Sequence, residues 1–195
     1  MLKDLVLRNR SYRRFHQHET VPMLVLESLV DLARQTASAG NRQPLKYILS
    51  NDPGTNDAIF GCLGWAGYLP QWPGPEEGER PAAYILVLGD HNIARDIDCD
   101  HGVAAQTILL GAVEQGFGGC MVGSINRRKL RMSLTLPNNL DNLLALALGR
   151  PKEKCILTPV ESPSDIRYWR DENGVHYVPK RALEDIIVAR YSSEP

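Results

Sequence analysis

Ala83-Tyr84-Ile85-Leu86-Val87-Leu88-Gly89 is an unbroken apolar run of strand length. A strand with one wet face alternates apolar and polar residues, so this run predicts a strand covered on both faces, at the centre of a sheet. A second buried strand is predicted at residues 143–148 (LLALAL), and a third at 45–50, rich in β-favouring Tyr47 and Ile48. Helical periods lie between them. Leu26, Leu29, Val30, Ala33 and Ala37 form one stripe behind the start signal Thr20-Val21-Pro22, with Glu27, Asp31, Arg34 and Gln35 opposite. Residues 103–117 are apolar on nearly every face, so that helix must be buried all round, in the core or against a second subunit. Leu2, Leu5 and Val6 open the chain with a short amphipathic helix. The order mixes helices with strands.

The chain has 195 residues, enough for one sizeable core and short for two, so a single domain over 1–195 is expected. Lys and Arg number 22 against 23 Asp and Glu, a net charge of -1 that offers no bulk attraction to nucleic acid or anionic membrane. Any anion recognition must be local. The acid at Asp4 argues against a secretory leader, and no apolar run approaches the roughly 18 residues of a membrane helix, so a cytoplasmic protein is expected. Cys62, Cys99, Cys120 and Cys155 include no C-x-x-C pair, which makes reduced thiols the default reading.

Elsewhere the chain is punctuated. Pro53-Gly54 reads as a turn, the apolar segment 58–69 as helical, and residues 70–81, with four prolines and two glycines, as an irregular loop. Gly116-Phe117-Gly118-Gly119-Cys120-Met121-Val122-Gly123 reads as a helix stop and a glycine-rich strand. Asn126 caps a short basic helix (Arg127, Arg128, Lys129, Arg131). Residues 151–174 are turn-rich, and His176 to Val178 leads into a closing helix at 181–191 with Leu183, Ile186 and Ile187 on its apolar side.

Chemistry concentrates behind the first helix, in Asn9-Arg10-Ser11-Tyr12-Arg13-Arg14-Phe15. Three guanidiniums and a hydroxyl in so short a run can grip a phosphate through forked, charge-assisted hydrogen bonds; alone, the run could equally be a solvated basic turn. Asn41 and Gln43 carry amide hydrogen-bonding edges on a segment that Gly40 and Pro44 keep from continuing the helix. Asp96, Asp98, Asp100 and His101 could ligate a metal for a hydrolase, but their place before a long helix favours capping. Cys120 near His101 lacks a nucleophile motif, and the glycines follow a helix where a dinucleotide fingerprint would follow a strand.

Three of these segments, residues 10–15, 38–44 and 116–123, resemble in order and spacing the signatures of the nitroreductase family of FMN-dependent NAD(P)H oxidoreductases, over essentially the whole chain. The resemblance implies an α+β sheet-and-helix sandwich and an intertwined homodimer, with FMN at the dimer interface. It places helix 103–117 in that interface and the C-terminal extension, 151–195, against the partner. The implied activity is ping-pong hydride transfer from NAD(P)H through flavin N5 to a small-molecule acceptor, a nitroaromatic or quinone, with no catalytic side chain. A non-enzymatic flavin-storage protein of the same fold is the alternative. Arg10 and Ser11 fall at the FMN phosphate and ribityl chain. Arg13 falls at the N1/C2=O ring edge, where a cation stabilises the charge that reduction creates. Asn41 and Gln43 fall at the isoalloxazine and ribityl groups, and the backbone of Gly118, Gly119 and Cys120 beside the ring. The family often has Arg-Arg-Ser where this chain has Asn9-Arg10-Ser11, so one phosphate ligand must come from elsewhere; Arg14 and the partner's Arg150 are the candidates. The family's helical insertion over the flavin is replaced by the 70–81 loop.

Overall fold

The computed structural model describes residues 1–162 and 165–192. Its centre is a four-stranded antiparallel sheet of β1 (Leu45–Ser50), β2 (Ala83–Asp90), β3 (Gly118–Val122) and β4 (Leu140–Gly149), in the order β1-β2-β4-β3. Every residue of β2 is buried, because the strand has neighbours on both edges and helices on both faces. Its register pairs Ile85 with Leu146 and Leu86 with Ala145. Successive side chains therefore feed two separate cores. Ile85, Val87, Leu146 and Leu148 pack under α2 (Met23–Arg34) and α4 (Asp100–Glu114). Tyr84, Leu86, Ala145 and Ala147 pack under α3 (Pro53–Phe60) and α5 (Arg127–Ser133) through Ile59 and Leu130. The result is the expected sandwich of helices around a sheet.

α1 (Leu2–Arg8) ends where residues 9–15 run out as extended chain. Ser11 bridges to Gly119, the Tyr12 amide donates to the Gly119 carbonyl at 3.1 Å, and fully buried Phe15 anchors the segment against Gly149. A Cβ on Gly149 would lie about 3.0 Å from the Phe15 ring, so only glycine admits that anchor. The cationic run is thus laid along the outer edge of β3.

Five expectations change. Pro53-Gly54 opens a helix instead of a turn, because Asp52 caps it, accepting from the Thr55 amide at 2.7 Å, and Pro53 suits a first helical position. That helix ends at Phe60, so residues 58–69 are mostly turn. Helix α2 stops at Arg34, leaving Ala37 outside its stripe. Finally, the C-terminal part holds a second sheet, β5 (Cys155–Pro159), β6 (Trp169–Arg170) and β7 (His176–Lys180), in the order β5-β7-β6. The closing helix shrinks to one turn, α6 (Leu183–Ile186), since Leu183 and Ile186 find no core and stay 59% and 60% exposed. Of the 151–195 extension, residues 163–164 and 193–195 lie outside the described residues. α4 buries most of its surface but leaves Val103 and Gln106 exposed in the single chain. No helix among the described residues is long and apolar enough to cross a membrane.

Candidate functional site

Two cavities adjoin along the junction of residues 9–13 with β3. The larger, about 310 Å³, is lined by Arg10, Ser11, Arg13, Tyr168, His176 and Lys180 among others, with three cations and no carboxylate. The smaller, about 240 Å³, is walled by residues 64–67 and 120–124 together with Arg13 and Tyr168. Arg13, Met121 and Tyr168 belong to both. A cationic compartment therefore meets a narrow, glycine-containing one at the Arg13 side chain.

The cations are held by what surrounds them. Arg10 turns back on α1, with Nη2 donating to the Val6 carbonyl at 2.6 Å and Nε to the Asn9 carbonyl at 2.5 Å, while Nη1 has no protein partner among the described residues. Arg13 donates to the Ser11 carbonyl at 3.2 Å and lies over the Tyr168 ring, 5.0 Å from its centroid. Beneath them Glu153, its side chain 1% exposed, accepts from the Arg13 and Arg14 amides and pairs with Arg170 at 3.1 Å. One buried carboxylate thus fixes the path of the cationic run.

Arg14 and Arg150 do not join the cavity. Arg14 forks onto Glu79 of the 70–81 loop at 2.5 and 2.7 Å, and this pairing, with Lys152 beside it, holds the Glu79 carboxyl down at about 2. Arg150 pairs with Glu19 and covers Phe117. In this chain both proposed substitutes for the missing phosphate ligand are committed to carboxylates.

Gly118 and Gly119 serve packing. A Cβ on Gly118 would meet Tyr12 and Pro151 at 2.7 Å, and one on Gly119 would meet the Ala147 carbonyl at 2.6 Å. The narrow compartment is lined one step further along, by Cys120 to Ser124. The open side of Gly123 meets nothing nearer than a Leu144 methyl at 3.9 Å. Cys120 is buried, burial raises its thiol pKa, and its Sγ donates to the Met121 carbonyl at 3.5 Å. It is a wall of the site and no nucleophile.

Asn41 and Gln43 lie on another face. Gly40, Asn41 and Gln43 have φ of 57°, 53° and 52°, on either side of right-handed Arg42, a conformation unusual for two residues with side chains. Ser38 Oγ holds it, donating to Asp100 at 2.5 Å and accepting from the Gln43 amide at 2.9 Å; the Ala39 amide also donates to Asp100 at 2.9 Å. Asp100 is therefore spent on this loop, and His101 turns toward the Ile97 carbonyl, away from a metal-ligating role. The basic helix is likewise structural: Arg127, Lys129 and Arg131 bond backbone carbonyls of β4 and of neighbouring loops.

Sequence reasoning missed His176 and Lys180, which come from the unpredicted C-terminal sheet, and Tyr168, which immediately precedes its strand β6. His176 is 1% exposed, its two ring nitrogens have no partner among the described residues, and desolvation, with Arg13 and Arg170 nearby, lowers its pKa to about 4. The only cue was a polar, aromatic-rich tail in which Tyr168 and His176 stand amid charges.

Residues 74–150 match the nitroreductase family model. A nitroreductase family protein from Clostridium difficile 630 is similar in structure over 100% of this chain and 98% of its own, with a TM-score of 0.65 and 22% identity. One from Clostridium novyi NT gives a TM-score of 0.66 at 22% identity, over 78% and 86% of the two chains. A Staphylococcus epidermidis protein with the provisional name NAD(P)H:FMN oxidoreductase gives 0.67 at 12% identity, over 85% and 93%. The family model thus matches one segment of the chain, and the solved structures share its fold.

Proposed function

We propose that the protein is an FMN-dependent oxidoreductase that passes electrons from NAD(P)H to a small nitroaromatic or quinone-type acceptor. The observation that carries this reading is the pair of compartments meeting at Arg13, one cationic and carboxylate-free, the other smaller and lined by residues 64–67 and 120–124. A phosphorylated, planar cofactor has those two ends, and the donor set fits it. Arg10 and Ser11 would hold the phosphate and ribityl end, residues 120–124 and 64–67 would flank the ring, and Arg13 would stand at the ring edge. FMN, when bound, supplies two-electron transfer between donor and acceptor.

What the chain adds is binding, orientation and charge. Arg13 places a fixed positive charge where reduction accumulates negative charge, which favours the reduced form. Glu153 keeps that guanidinium's backbone in place without competing for the ligand, because it faces the amides and Arg170. The loop at residues 40–43 lines neither compartment, and a second copy of the chain would bring its Asn41 and Gln43 to the site. The exposed Val103 and Gln106 of α4 would then lie in the dimer contact.

The absorption spectrum of the purified protein tests the reading. A flavin band is expected, together with NAD(P)H oxidation when menadione or nitrofurazone is added. Protein that stays colourless after incubation with FMN and removal of the excess would overturn it. Flavin with negligible turnover would point to storage. Arg10→Ala should weaken FMN binding by about 1.5 to 3 kcal/mol, the range for a charged hydrogen bond.

A further inference from the structure

We infer that a second ligand site lies at the start of β2: a cavity floored by Tyr84 and Arg80 that takes a small neutral molecule through its carbonyl oxygen. The site does not rest on the FMN reading.

The cavity, about 330 Å³, is lined by Gln17, Asn56, Asp57, Phe60, Arg80 and Tyr84 among others, and it shares no lining residue with the two compartments at Arg13. Its frame is fixed. Buried Asn56 accepts from the Ser50 hydroxyl at 2.8 Å and donates to the Ala82 carbonyl at 2.9 Å, while Gln17 Oε1 accepts from the Gly78 and Arg80 amides at 2.7 and 3.2 Å. These amide side chains are spent on holding the loop before β2 against the start of α3.

Two groups on the floor are unspent. Tyr84 is 1% exposed, and neither its hydroxyl nor Arg80 Nε has a hydrogen-bond partner among the described residues; both atoms are sealed from solvent. Burial raises the pKa of the Tyr84 hydroxyl, so it keeps a proton to donate, and the charges it senses are those of Arg80 and Asp57, both in the cavity wall. Two buried donors without an acceptor cost stability, and one oxygen accepting from both would recover it. Arg80 can open the way. Its guanidinium lies over the Phe60 ring, 4.5 Å from the centroid, and its carboxylate partners, Asp57 at 3.3 Å and Glu77 at 3.8 Å, are exposed. Such pairs are weak, so a small swing of the guanidinium costs little and uncovers the floor.

Charge selects the ligand class. Asp57 and Glu77 already answer Arg80 at the mouth, so a further anion gains little from the cation and is repelled by two carboxylates. Pro53, Phe60, Pro81 and Ala82 offer an apolar wall to the rest of the ligand. An amide or ketone with a compact apolar body meets both conditions.

The test titrates the protein as purified with cyclohexanecarboxamide and with cyclohexanecarboxylate, its anion of the same shape, while backbone amide resonances report where each binds. The carboxamide should shift Asp57, Phe60, Ala82 and Tyr84, with a dissociation constant of about 1 to 10 mM, ordinary for a fragment of this size. The carboxylate should bind at least about 5-fold more weakly, and raised salt should narrow that gap. Tyr84→Phe should weaken the carboxamide about 2- to 12-fold, the range of a neutral hydrogen bond, and should leave the melting temperature unchanged or raise it, because the lost hydroxyl had no partner. Arg80→Lys keeps the charge and deletes the Nε donor, so it tests the same floor from its exposed side and should weaken the carboxamide over the same range.

Shifts confined to residues 9–13 and 120–124 would put the probe in the compartments already described and overturn the proposal. So would a carboxylate that binds as tightly as the carboxamide, or carboxamide affinity unchanged in both variants. A lowered melting temperature in Tyr84→Phe would also overturn it, by showing that solvent already answers the hydroxyl.

Discussion

The two sheets of this molecule are built on opposite principles. In the central sheet β2 is buried along its whole length, and its alternating side chains feed two apolar cores. In the C-terminal sheet only His176 among the strand residues is buried, and cohesion comes from polar and aromatic pairs. Trp169 stacks on Tyr177 at 5.2 Å, Arg170 covers Trp72 and pairs with Glu153, and Tyr168 touches Tyr68, His176 and Arg13. The first sheet sets the fold; the second places residues around the cavity. Apolar burial is worth about 1.5 to 3 kcal/mol for each large side chain and asks for no particular geometry, whereas stacks and ion pairs yield less and depend on placement.

The same substitution in each sheet gives the sharpest contrast. Leu86→Ala removes a fully buried side chain from β2 and should cost about 2 to 5 kcal/mol in urea unfolding. Leu157→Ala in β5, where the side chain is 36% exposed, should cost under about 1 kcal/mol. Equal losses would mean that the C-terminal sheet has an apolar core of its own. Glu153→Gln addresses the joint between the sheets. The amide can still accept from the Arg13 and Arg14 backbone but presents an N–H to Arg170, so a loss of about 1.5 to 3 kcal/mol is expected. Amide exchange should then quicken in β7 before it quickens in β2.

This contrast also explains what could be read in advance. The continuous run at 83–89, the stripe of α2 and the cap at Asn126 are local patterns, and each became the element it predicted. The anchoring of residues 9–15 beside β3, and the gathering of Arg10, Ser11 and Arg13, agree with the order of motifs along the chain. By contrast, the strands at 155–159 and 169–170 have no apolar alternation to announce them, because they are held by stacked rings and a buried carboxylate, which leave no periodic mark on the sequence. Arg14 misled for the same reason: its fork onto Glu79 depends on where the 70–81 loop returns, and nothing near residue 14 encodes that.

Acid should act on the two sites in different windows. His176 has a folded-state pKa of about 4 against about 6.5 when unfolded, so below about 6.5 the unfolded chain takes up a proton that the folded one refuses. Stability should fall as pH drops from about 6.5 to 4, by less than the roughly 1.4 kcal/mol per unit that one proton allows. Glu79 works lower down. Its pKa is held at about 2 by Arg14, so its contribution is present above about 4.5 and disappears as pH falls toward 2. His176→Gln should flatten the upper window alone, and Glu79→Gln the lower. A His176→Gln protein with an unchanged slope between 6.5 and 4 would show that the imidazole is already protonated when folded.

The smallest effect probes whether stacking organises the C-terminal sheet at all. Trp169 and Tyr177 are neighbours in the β6–β7 register, with ring planes 10° apart, yet Trp169 is 45% exposed. Trp169→Leu keeps an apolar body over Tyr177 and deletes the aromatic pairing, so it should cost only about 0.5 to 1.5 kcal/mol. Its consequence for binding should exceed that figure's modest size, because Trp169 follows Tyr168, and Tyr168 is the ring shared by both compartments. If the stack holds that turn of chain in place, Trp169→Leu will loosen Tyr168 over Arg13 and weaken flavin retention while the melting temperature barely moves. If flavin retention is unaltered as well, Tyr168 is held by Tyr68, His176 and Arg13 alone, and the C-terminal sheet owes its order to the site it borders.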